Sequence, residues 1–289
     1  MTNAMNNSAL SIEELEKMAG QVRRDIIRMV HSSKSGHPGG SLGCADLMTA
    51  LFFSVMDIDP AHFTQDGKGE DMFFLSNGHI APVLYSVMAR RGYFPVSELG
   101  TLRKLGTRLQ GHPTPVEHLE GIRVASGSLG QGVSVAIGAA IAKKHNGDNK
   151  TVFVLTGDGE LQEGQPWEAF MFASAKKVDN LIAIVDYNKK QIDGSTDDVL
   201  CLGDLPGRFK AFDWEVLQMD GNNMKETVET LNKAKSLCGK GKPVVIVMKT
   251  EMGMGVDFMM GTHKWHGTAP NDEQAELALK QLPETIGDY

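Results

Sequence analysis

Residues 151–188 read TVFVLTGDGELQEGQPWEAFMFASAKKVDNLIAIVDYN, and this stretch decides the fold. It contains two apolar runs, Thr151–Thr156 and Leu181–Asp186, separated by a segment that is expected to be helical from about Gln165 to Ala175. Continuously apolar runs that alternate with helices are typical of parallel strands buried on both faces. A right-handed crossover would then place the two strands side by side.

Segments on both sides of this stretch extend the same pattern. Ser11 and Glu14 have the spacing of a capping box, and the helix that they begin is expected to run to about Ser32. The other predicted segments are a turn at Ser35–Gly40, a helix around Cys44–Val55, a strand at Met72–Ser76, a turn at Asn77–His79 with a helix through Met88, an irregular segment at Leu109–Ser126, a helix at Val133–Lys144, strands at Trp214–Met219 and Pro243–Lys249, and a short helix near Glu273–Gln281. We therefore predict one α/β domain over residues 1–289, with a doubly wound, mostly parallel sheet and helices on both faces.

Composition excludes several classes of protein. The chain has 289 residues and a formal net charge of -7, without a cluster of basic residues, which argues against nucleic-acid binding. It contains no apolar run near the ~20 residues that cross a bilayer, and its polar N-terminus lacks the apolar core of a signal peptide. We expect a cytoplasmic protein without a membrane partner, in which the widely spaced Cys44, Cys201 and Cys238 are buried free thiols.

Two oxygen-bearing side chains follow the neighbouring predicted strands. Asp158 lies between two glycines just after the first strand, and Asn188 comes just after the second. Ligands collect at the carboxyl ends of strands in an open parallel sheet, and Mg²⁺ prefers oxygen ligands. A lone Gly-Asp-Gly is more simply a turn, and Asn188 could be a loop cap. The paired position at two strand ends favours a metal site, and no G-x-G-x-x-G motif of a nucleotide-binding fold follows a first strand.

The Gly-Asp-Gly motif followed thirty residues later by asparagine resembles the thiamine diphosphate signature. Further stretches resemble the transketolase family and occur in the family's order. They are SGHPG at 35–39, LSNGH at 75–79, GHP at 111–113, GSLGQG at 127–132, GDGELQEG at 157–164 and HGTAP at 266–270. The combination is much more specific than any one of these stretches.

The resemblance implies a set of metal and cofactor ligands. Asp158, Asn188 and the main-chain oxygen of Lys190 would bind Mg²⁺, for which Ca²⁺ or Mn²⁺ could substitute, and the family more often has an apolar residue at position 190. The residues implied to contact thiamine diphosphate are His79, Gly127, Leu129, Gly157, Gly159, Glu163, Asn188 and His266. The implied fold is the thiamine diphosphate-binding fold.

The resemblance also assigns catalytic roles to histidines. His79 and His266 would lie near the diphosphate and the thiazolium, whereas His37 and His112 would meet the hydroxyls and the carbonyl of a sugar. Imidazole can donate, accept or transfer a proton near neutral pH, and a donor aimed at the developing alkoxide would stabilise it. The remaining histidines are interpreted as structural or exposed: His31, His62, His118, His145 and His263.

Glu163 and Glu168 resemble acidic residues that face each other across the transketolase dimer. The competing interpretation is that they are carboxylates favoured at the start of a helix by its dipole. The two interpretations carry similar weight.

The implied reaction is transfer of a two-carbon ketol unit from a ketose or ketose phosphate donor to an aldose acceptor. In the family, the glutamate that activates the cofactor's aminopyrimidine and most groups that bind a sugar phosphate belong to later domains. We therefore expect a split enzyme, in which a separately encoded chain supplies the pyrimidine-binding and C-terminal domains of an α2β2 assembly.

Other functions stay open at this point. One is the α subunit of a 2-oxoacid dehydrogenase, which would share the Asp158 and Asn188 site but not the histidine-containing stretches. Another is a non-catalytic subunit that only holds the cofactor. Within the transketolase hypothesis, the sugar could be an unusual one, including a sulfonated sugar.

Overall fold

The computed structural model describes residues 10–289, so the prediction about the N-terminal stretch falls largely on residues outside it. A parallel sheet has the strand order β1-β2-β3-β7-β6, and β4 and β5 form a separate antiparallel pair. The strands are β1 Met72–Leu75, β2 Val152–Gly157, β3 Leu181–Tyr187, β4 Lys190–Gln191, β5 Gly194–Ser195, β6 Glu215–Asp220 and β7 Val244–Lys249. The predicted parallel sheet is confirmed, and so is the prediction that the strands now numbered β2 and β3 are neighbours.

Helices connect the strands of the main sheet. They are α1 Ile12–Ser33, α2 Pro38–Gly43, α3 Ala45–Ala50, α4 Ala81–Arg91, α5 Gln131–His145, α6 Gly164–Ala175, α7 Thr196–Leu200, α8 Leu205–Ala211, α9 Met224–Leu237 and α10 Asp272–Gln281. The capping box of α1 is present, because Ser11 Oγ accepts from the Glu14 amide and the Glu14 carboxylate accepts from the Ser11 amide. The helices α7, α8 and α9 and the small β4–β5 pair were not predicted.

Side chains of the sheet alternate between two apolar clusters, one on each face. Phe153 and Leu155 of β2 belong to the cluster that α1, α3, α4 and α9 cover. Val152 and Val154 belong to the cluster that α5, α6 and α8 cover. This arrangement confirms the doubly wound sheet, whereas the assignment of all 289 residues to a single domain stays a prediction.

The helix predicted around Cys44–Val55 is present, but the predicted turn at Ser35–Gly40 is helical from Pro38 onward. Helical structure already begins at Pro38, breaks at Cys44, resumes in α3 and ends in a π-helical turn at Leu51–Val55. Proline suits the first position of a helix because its fixed φ is already helical. The glycine at position 39 permits close packing rather than a turn, since a Cβ there would lie 2.8 Å from the main-chain oxygen of Trp265.

The cysteine prediction is correct in part. All three cysteines are free, and Cys44 is buried, but Cys238 is only half-buried and Cys201 is exposed. Cys201 directly follows the short surface helix α7, which was not predicted. No helix within residues 10–289 is long and apolar enough to cross a membrane.

A buried ion pair joins α1 to α4, the helix that follows the Asn77–His79 segment. Both nitrogens Nε and Nη2 of Arg90 donate to the carboxylate of Asp25, at 2.5 and 2.8 Å. Ser86 Oγ also donates to this carboxylate. Removal of one charged partner would leave the other buried without compensation.

We expect Asp25→Asn to lower the free energy of unfolding by about 3 kcal/mol, because Arg90 then loses its buried counter-charge. Urea denaturation measures the change. Glu13→Gln is the control, since it breaks an ion pair with Lys17 that is exposed on the same helix. Equal stability of the two variants would contradict the role given to the buried pair.

Candidate cofactor site

The loops that follow β2 and β3 meet at the carboxyl edge of the sheet. Gly157 is in register with Asp186, and the Asp158 amide donates to the Asp186 carbonyl at 3.1 Å. In the other direction, the Lys189 amide donates to Asp158 Oδ2 at 2.6 Å. The structure therefore brings Asp158 against the segment that contains Asn188, as the crossover argument predicted.

The side chain of Asn188 is held in a defined orientation by Asp186. Asn188 Nδ2 donates to Asp186 Oδ2 at 2.8 Å, and Thr250 Oγ1 donates to the other carboxylate oxygen. Asn188 Oδ1 accepts from the Lys190 amide at 2.9 Å and keeps a second lone pair. Sequence reasoning missed Asp186, although a carboxylate at the end of an apolar strand was a readable signal.

Asp158 lies in an environment that disfavours a bare negative charge. Its side chain is buried, with 2% of the residue exposed. Burial, reinforced by the nearby Asp186, raises the pKa of Asp158 to about 7. No basic side chain forms an ion pair with Asp158 in the described part of the chain. A divalent cation at this position would supply the missing positive charge.

The donors near Asp158 suit a hard cation better than a soft one. No group of three or more His, Cys, Asp or Glu residues within 10–289 is arranged to hold a metal. The predicted site instead combines one carboxylate with amide and main-chain oxygens, and Mg²⁺ accepts such a set when substrate phosphates and water complete its octahedron. The residues present therefore fit the implied metal.

Unpaired polar atoms lie beside the two glycines of the Gly-Asp-Gly motif. A Cβ atom added at Gly157 would lie 3.9 Å from the Asn77 side chain, and one added at Gly159 would lie 3.4 Å from the Gln191 side chain. The oxygens Oδ1 of Asn77 and Oε1 of Gln191 are buried and accept no hydrogen bond. Such atoms call for a polar partner, which a hydrated, metal-bound diphosphate can provide. Neither Asn77 nor Gln191 was predicted from the sequence.

Three of the predicted histidines form one cluster. The ring centroid of His79 lies 5.1 Å from that of His37 and 5.1 Å from that of His266, and His37 and His266 are 5.8 Å apart. The Nδ1 atoms of His37 and His266 are buried and have no hydrogen-bond partner among residues 10–289. The structure thus brings together residues from three distant loops, and it leaves ring nitrogens free for a ligand.

These imidazoles are neutral at physiological pH. Burial, with smaller contributions from neighbouring histidines, lowers the pKa of His79 to about 3 and that of His37 to about 4. Burial also lowers the pKa of His266. A neutral imidazole has one donor and one acceptor nitrogen, so the cluster can orient polar groups without adding positive charge.

His112 lies apart from this cluster and is more exposed. Its ring packs on Gly127, where a Cβ atom would come within 2.6 Å of the imidazole and where φ is 115°. Gly127 therefore cannot be replaced without moving His112. Burial, and secondarily the positive charge of Arg103, lowers the pKa of His112. Arg103, which donates to Ser35 Oγ at 3.1 Å, was also missed by sequence reasoning.

Leu129, Glu163 and Lys190 are the other predicted residues of the site. Leu129 and Glu163 are exposed, and Glu163 precedes α6 without accepting a cap hydrogen bond. The side-chain nitrogen of Lys190 lies 3.3 Å from the carboxylate of Glu251. Glu168 is exposed on α6, so both interpretations of the two glutamates stay open.

The remaining histidines lie outside the cluster. His31 and His62 pair with surface carboxylates of Asp272 and Asp59. His118, His145 and His263 are exposed.

Comparison with known proteins agrees with the fold and with the order of the motifs. Residues 15–283 match the family model described as the transketolase, thiamine diphosphate binding domain. The chain belongs to the transketolase family.

Among its curated relatives are separate subunits of transketolases. The chain is 40% identical to a subunit of the apulose-4-phosphate transketolase of Actinobacillus succinogenes, over 96% of this chain and 99% of the relative. It is 38% identical to a 6-deoxy-6-sulfo-D-fructose transketolase subunit of a Clostridium species, over 93% of this chain and 96% of the relative.

Longer transketolase chains match over a smaller part of their length. The crystal structure of the Campylobacter jejuni transketolase superposes with a TM-score of 0.86 at 32% identity, over 94% of this chain and 43% of that protein. The chain thus spans less than half of that enzyme and almost all of the separate subunits named above.

We expect Asp158→Ala to abolish Mg²⁺-dependent binding of thiamine diphosphate, because it deletes the only charged ligand of the candidate metal site. Calorimetric titration of the chain, together with the separately encoded partner that the sequence predicts, measures the affinity. Asp213→Ala, which removes an exposed carboxylate elsewhere, is the control. Unchanged cofactor affinity in Asp158→Ala would exclude this site.

Proposed function

We propose that this chain is the N-terminal, diphosphate-binding subunit of a split transketolase that uses thiamine diphosphate and Mg²⁺. The observation that carries the proposal is the position of the buried carboxylate of Asp158, which has no basic partner within residues 10–289, at the strand edge where Asn188 is held by Asp186. The match to separate transketolase subunits over nearly their whole length supports a two-chain enzyme. A cytoplasmic location stays a prediction from the sequence.

Binding of the cofactor would divide among residues of two neighbouring loops. Asp158, Asn188 and the Lys190 carbonyl would hold the metal, and Gly157 and Gly159, which lack side chains, would let the main chain lie close to the diphosphate. When bound, thiamine diphosphate supplies the nucleophilic carbon that ketol transfer needs. The residues of this chain fix its diphosphate end, and the companion subunit would cover the pyrimidine end.

His37 and His112 would act on the sugar, whereas His79 and His266 would lie near the diphosphate and the thiazolium. The neutral imidazoles of His37 and His79 can donate to substrate or cofactor oxygens without a charge that would be costly to bury. His112, whose ring packs on Gly127, would donate to a ketose carbonyl oxygen as it gains negative charge. The α subunit of a 2-oxoacid dehydrogenase would not need this set of imidazoles, and the clustering of three of them therefore favours ketol transfer.

The donor is proposed to be a ketose that carries an acidic group. Relatives are named for a sugar phosphate and for a sulfonated sugar. Both substrates have an anionic end, and Arg103 near His112 gives this chain a positive charge on that side of the cleft. The acceptor is proposed to be an aldose.

The test of the function is reconstitution. The purified chain, the proposed separately encoded companion, Mg²⁺ and thiamine diphosphate should together transfer ketol units from a ketose phosphate to an aldose phosphate, and omission of any component should stop the reaction. Decarboxylation of 2-oxoacids without ketol transfer would show the rival enzyme class. Cofactor binding without turnover on either substrate class would support a non-catalytic subunit.

We expect His112→Ala to lower kcat by about 100-fold and to leave the affinity for thiamine diphosphate unchanged, because it removes a donor to the reacting oxygen. Steady-state ketol transfer and cofactor titration separate the two effects. His145→Ala, at the exposed end of α5, is the control. An unchanged kcat would exclude His112 from the reaction.

An exposed apolar face on α5 and α6 supports the proposed α2β2 assembly. Met171 and Phe172 are 59% and 45% exposed, and they share one side of α6 with Glu168. A cavity of about 400 Å³ lies beside Phe172 and is lined on α5 by small and apolar residues, including Gly138. We propose that a second copy of this chain covers the face, because Glu168 on the same surface resembles a dimer-interface residue and because a twofold interface must be self-complementary.

We expect Met171→Asp to reduce the reconstituted enzyme to half its mass, since two carboxylates would be buried at the twofold contact. Sedimentation velocity measures the mass. Leu105→Asp is the matched control, because Leu105 is an apolar residue that is fully exposed elsewhere on the surface. An intact assembly in Met171→Asp would show that this face is not the contact between copies.

A further inference from the structure

Glu160 is a buried carboxylate to which neither the sequence motifs nor the proposed chemistry assigns a role. It lies in the turn after β2, two residues beyond Asp158, and only 2% of it is exposed. No basic side chain pairs with it anywhere in residues 10–289. A buried charge without a counter-ion is costly and needs a compensating set of hydrogen bonds.

The carboxylate of Glu160 accepts hydrogen bonds from three separate segments. Its Oε1 atom accepts from Ser76 Oγ and from the Gly130 amide, the latter at 2.6 Å. Its Oε2 atom accepts from the Gly157 amide at 3.1 Å. One side chain thus joins the end of β1, the start of α5 and the end of β2.

Each of these segments continues directly into the candidate site. Ser76 is followed by Asn77 and His79, and the segment that ends at Gly130 contains Gly127 and Leu129. The segments are also packed tightly on one another, since a Cβ at Gly132 would lie 2.6 Å from the Ser76 side chain. Movement of one segment would therefore change the position of the others.

The carboxyl group of Glu160 accepts from all three donors. Two of the donors are backbone N–H groups that lie against different oxygens of Glu160, and a backbone N–H can only donate. In Glu160→Gln, the amide NH₂ would face the Gly157 amide in one orientation and the Gly130 amide in the other. Either orientation leaves a buried N–H donor without an acceptor.

We infer that Glu160 is a positioning residue that holds the three cofactor-contacting segments in register through its bonds to Ser76, Gly130 and Gly157. The inference rests on the proposed function for its effect on the cofactor, but the coupling of the segments is a property of this chain alone. Glu160 acts through these segments and does not itself contact the ligand.

The test compares Glu160→Gln with Asp71→Asn, at a buried carboxylate on the opposite edge of the sheet that, unlike Glu160, also pairs with Lys235. Asp71 is 1% exposed and accepts from the amides of Asp57 and Thr151, at 2.9 and 2.8 Å. Asp71→Asn therefore also perturbs backbone bonds to a buried acid, but far from the candidate site. Thermal unfolding of both variants reports any general loss of stability.

Hydrogen exchange of the isolated chain is the first readout. In Glu160→Gln, amides of residues 76–79, 127–132 and 157–160 should all exchange about tenfold faster. In Asp71→Asn, these segments should exchange as in the unchanged protein. Faster exchange of residues 157–160 alone in Glu160→Gln would overturn the inference, because the three segments would then not be coupled.

Kinetics of the reconstituted enzyme are the second readout. Glu160→Gln should raise the KM for thiamine diphosphate about tenfold while kcat at saturating cofactor stays within about twofold, since the reacting groups are intact. An unchanged KM, or an equal rise in Asp71→Asn, would overturn the inference. If Glu160→Gln does not fold, Ser76→Ala removes one of the three bonds and should raise the same constant by about threefold. A reconstituted enzyme without cofactor-dependent turnover would instead contradict the proposed function, and the exchange experiment would still decide whether the segments are coupled.

Discussion

The hydrogen bond from the Lys189 amide to the carboxylate of Asp158 is the contact on which the account of the site depends. It joins the loops that follow two adjacent parallel strands, and it brings the segment that contains Asn188 next to the carboxylate of Asp158. The main sheet explains why this contact forms, since β2 and β3 pair in register up to Gly157 and Asp186. Every function proposed for the chain requires that these two loops act together on one ligand.

The electrostatics of the site change in opposite directions with pH. The raised pKa of Asp158, about 7, means that the ionised form destabilises the folded chain, so the associated stability is present at low pH and is lost as the pH rises through 7. The lowered pKa values of His37 and His79, about 4 and 3, mean that their contribution is present above the ordinary histidine pKa and is lost as the pH falls towards these values. A cation bound to Asp158 would remove the penalty at neutral and higher pH. The stability of the folded chain therefore depends on whether a cation occupies the site.

Much of the fold was readable from the sequence because its signals are local. The capping box of α1 and the continuous apolar runs of the strands required no knowledge of distant contacts. The helix α9 was missed although its signals were present, since Asn223 caps it and Met224, Thr227 and Leu231 are buried at helical spacing. The helix α2 was interpreted as a turn, because its glycines are a local turn signal, whereas in the structure they permit close packing against Trp265, Ile80 and Glu251.

Some parts of the site were predictable from the sequence, and others were not. The adjacency of Asp158 and Asn188 followed from chain topology, and the histidine positions followed from family resemblance rather than from any calculation of distance. The clustering of His37, His79 and His266 needed the structure, because their loops are far apart in the chain. Asp186 and Glu160 were missed because a buried carboxylate acquires its meaning only from the donors around it.

The most direct measurement is anomalous diffraction at the manganese edge from crystals of the two-chain enzyme grown with Mn²⁺ and thiamine diphosphate. We expect one strong peak per copy of this chain, within coordination distance of an Asp158 carboxylate oxygen, Asn188 Oδ1 and the Lys190 carbonyl, with cofactor density beside it. A peak at any other position, or cofactor density with Asp158 and Asn188 unliganded, would contradict it.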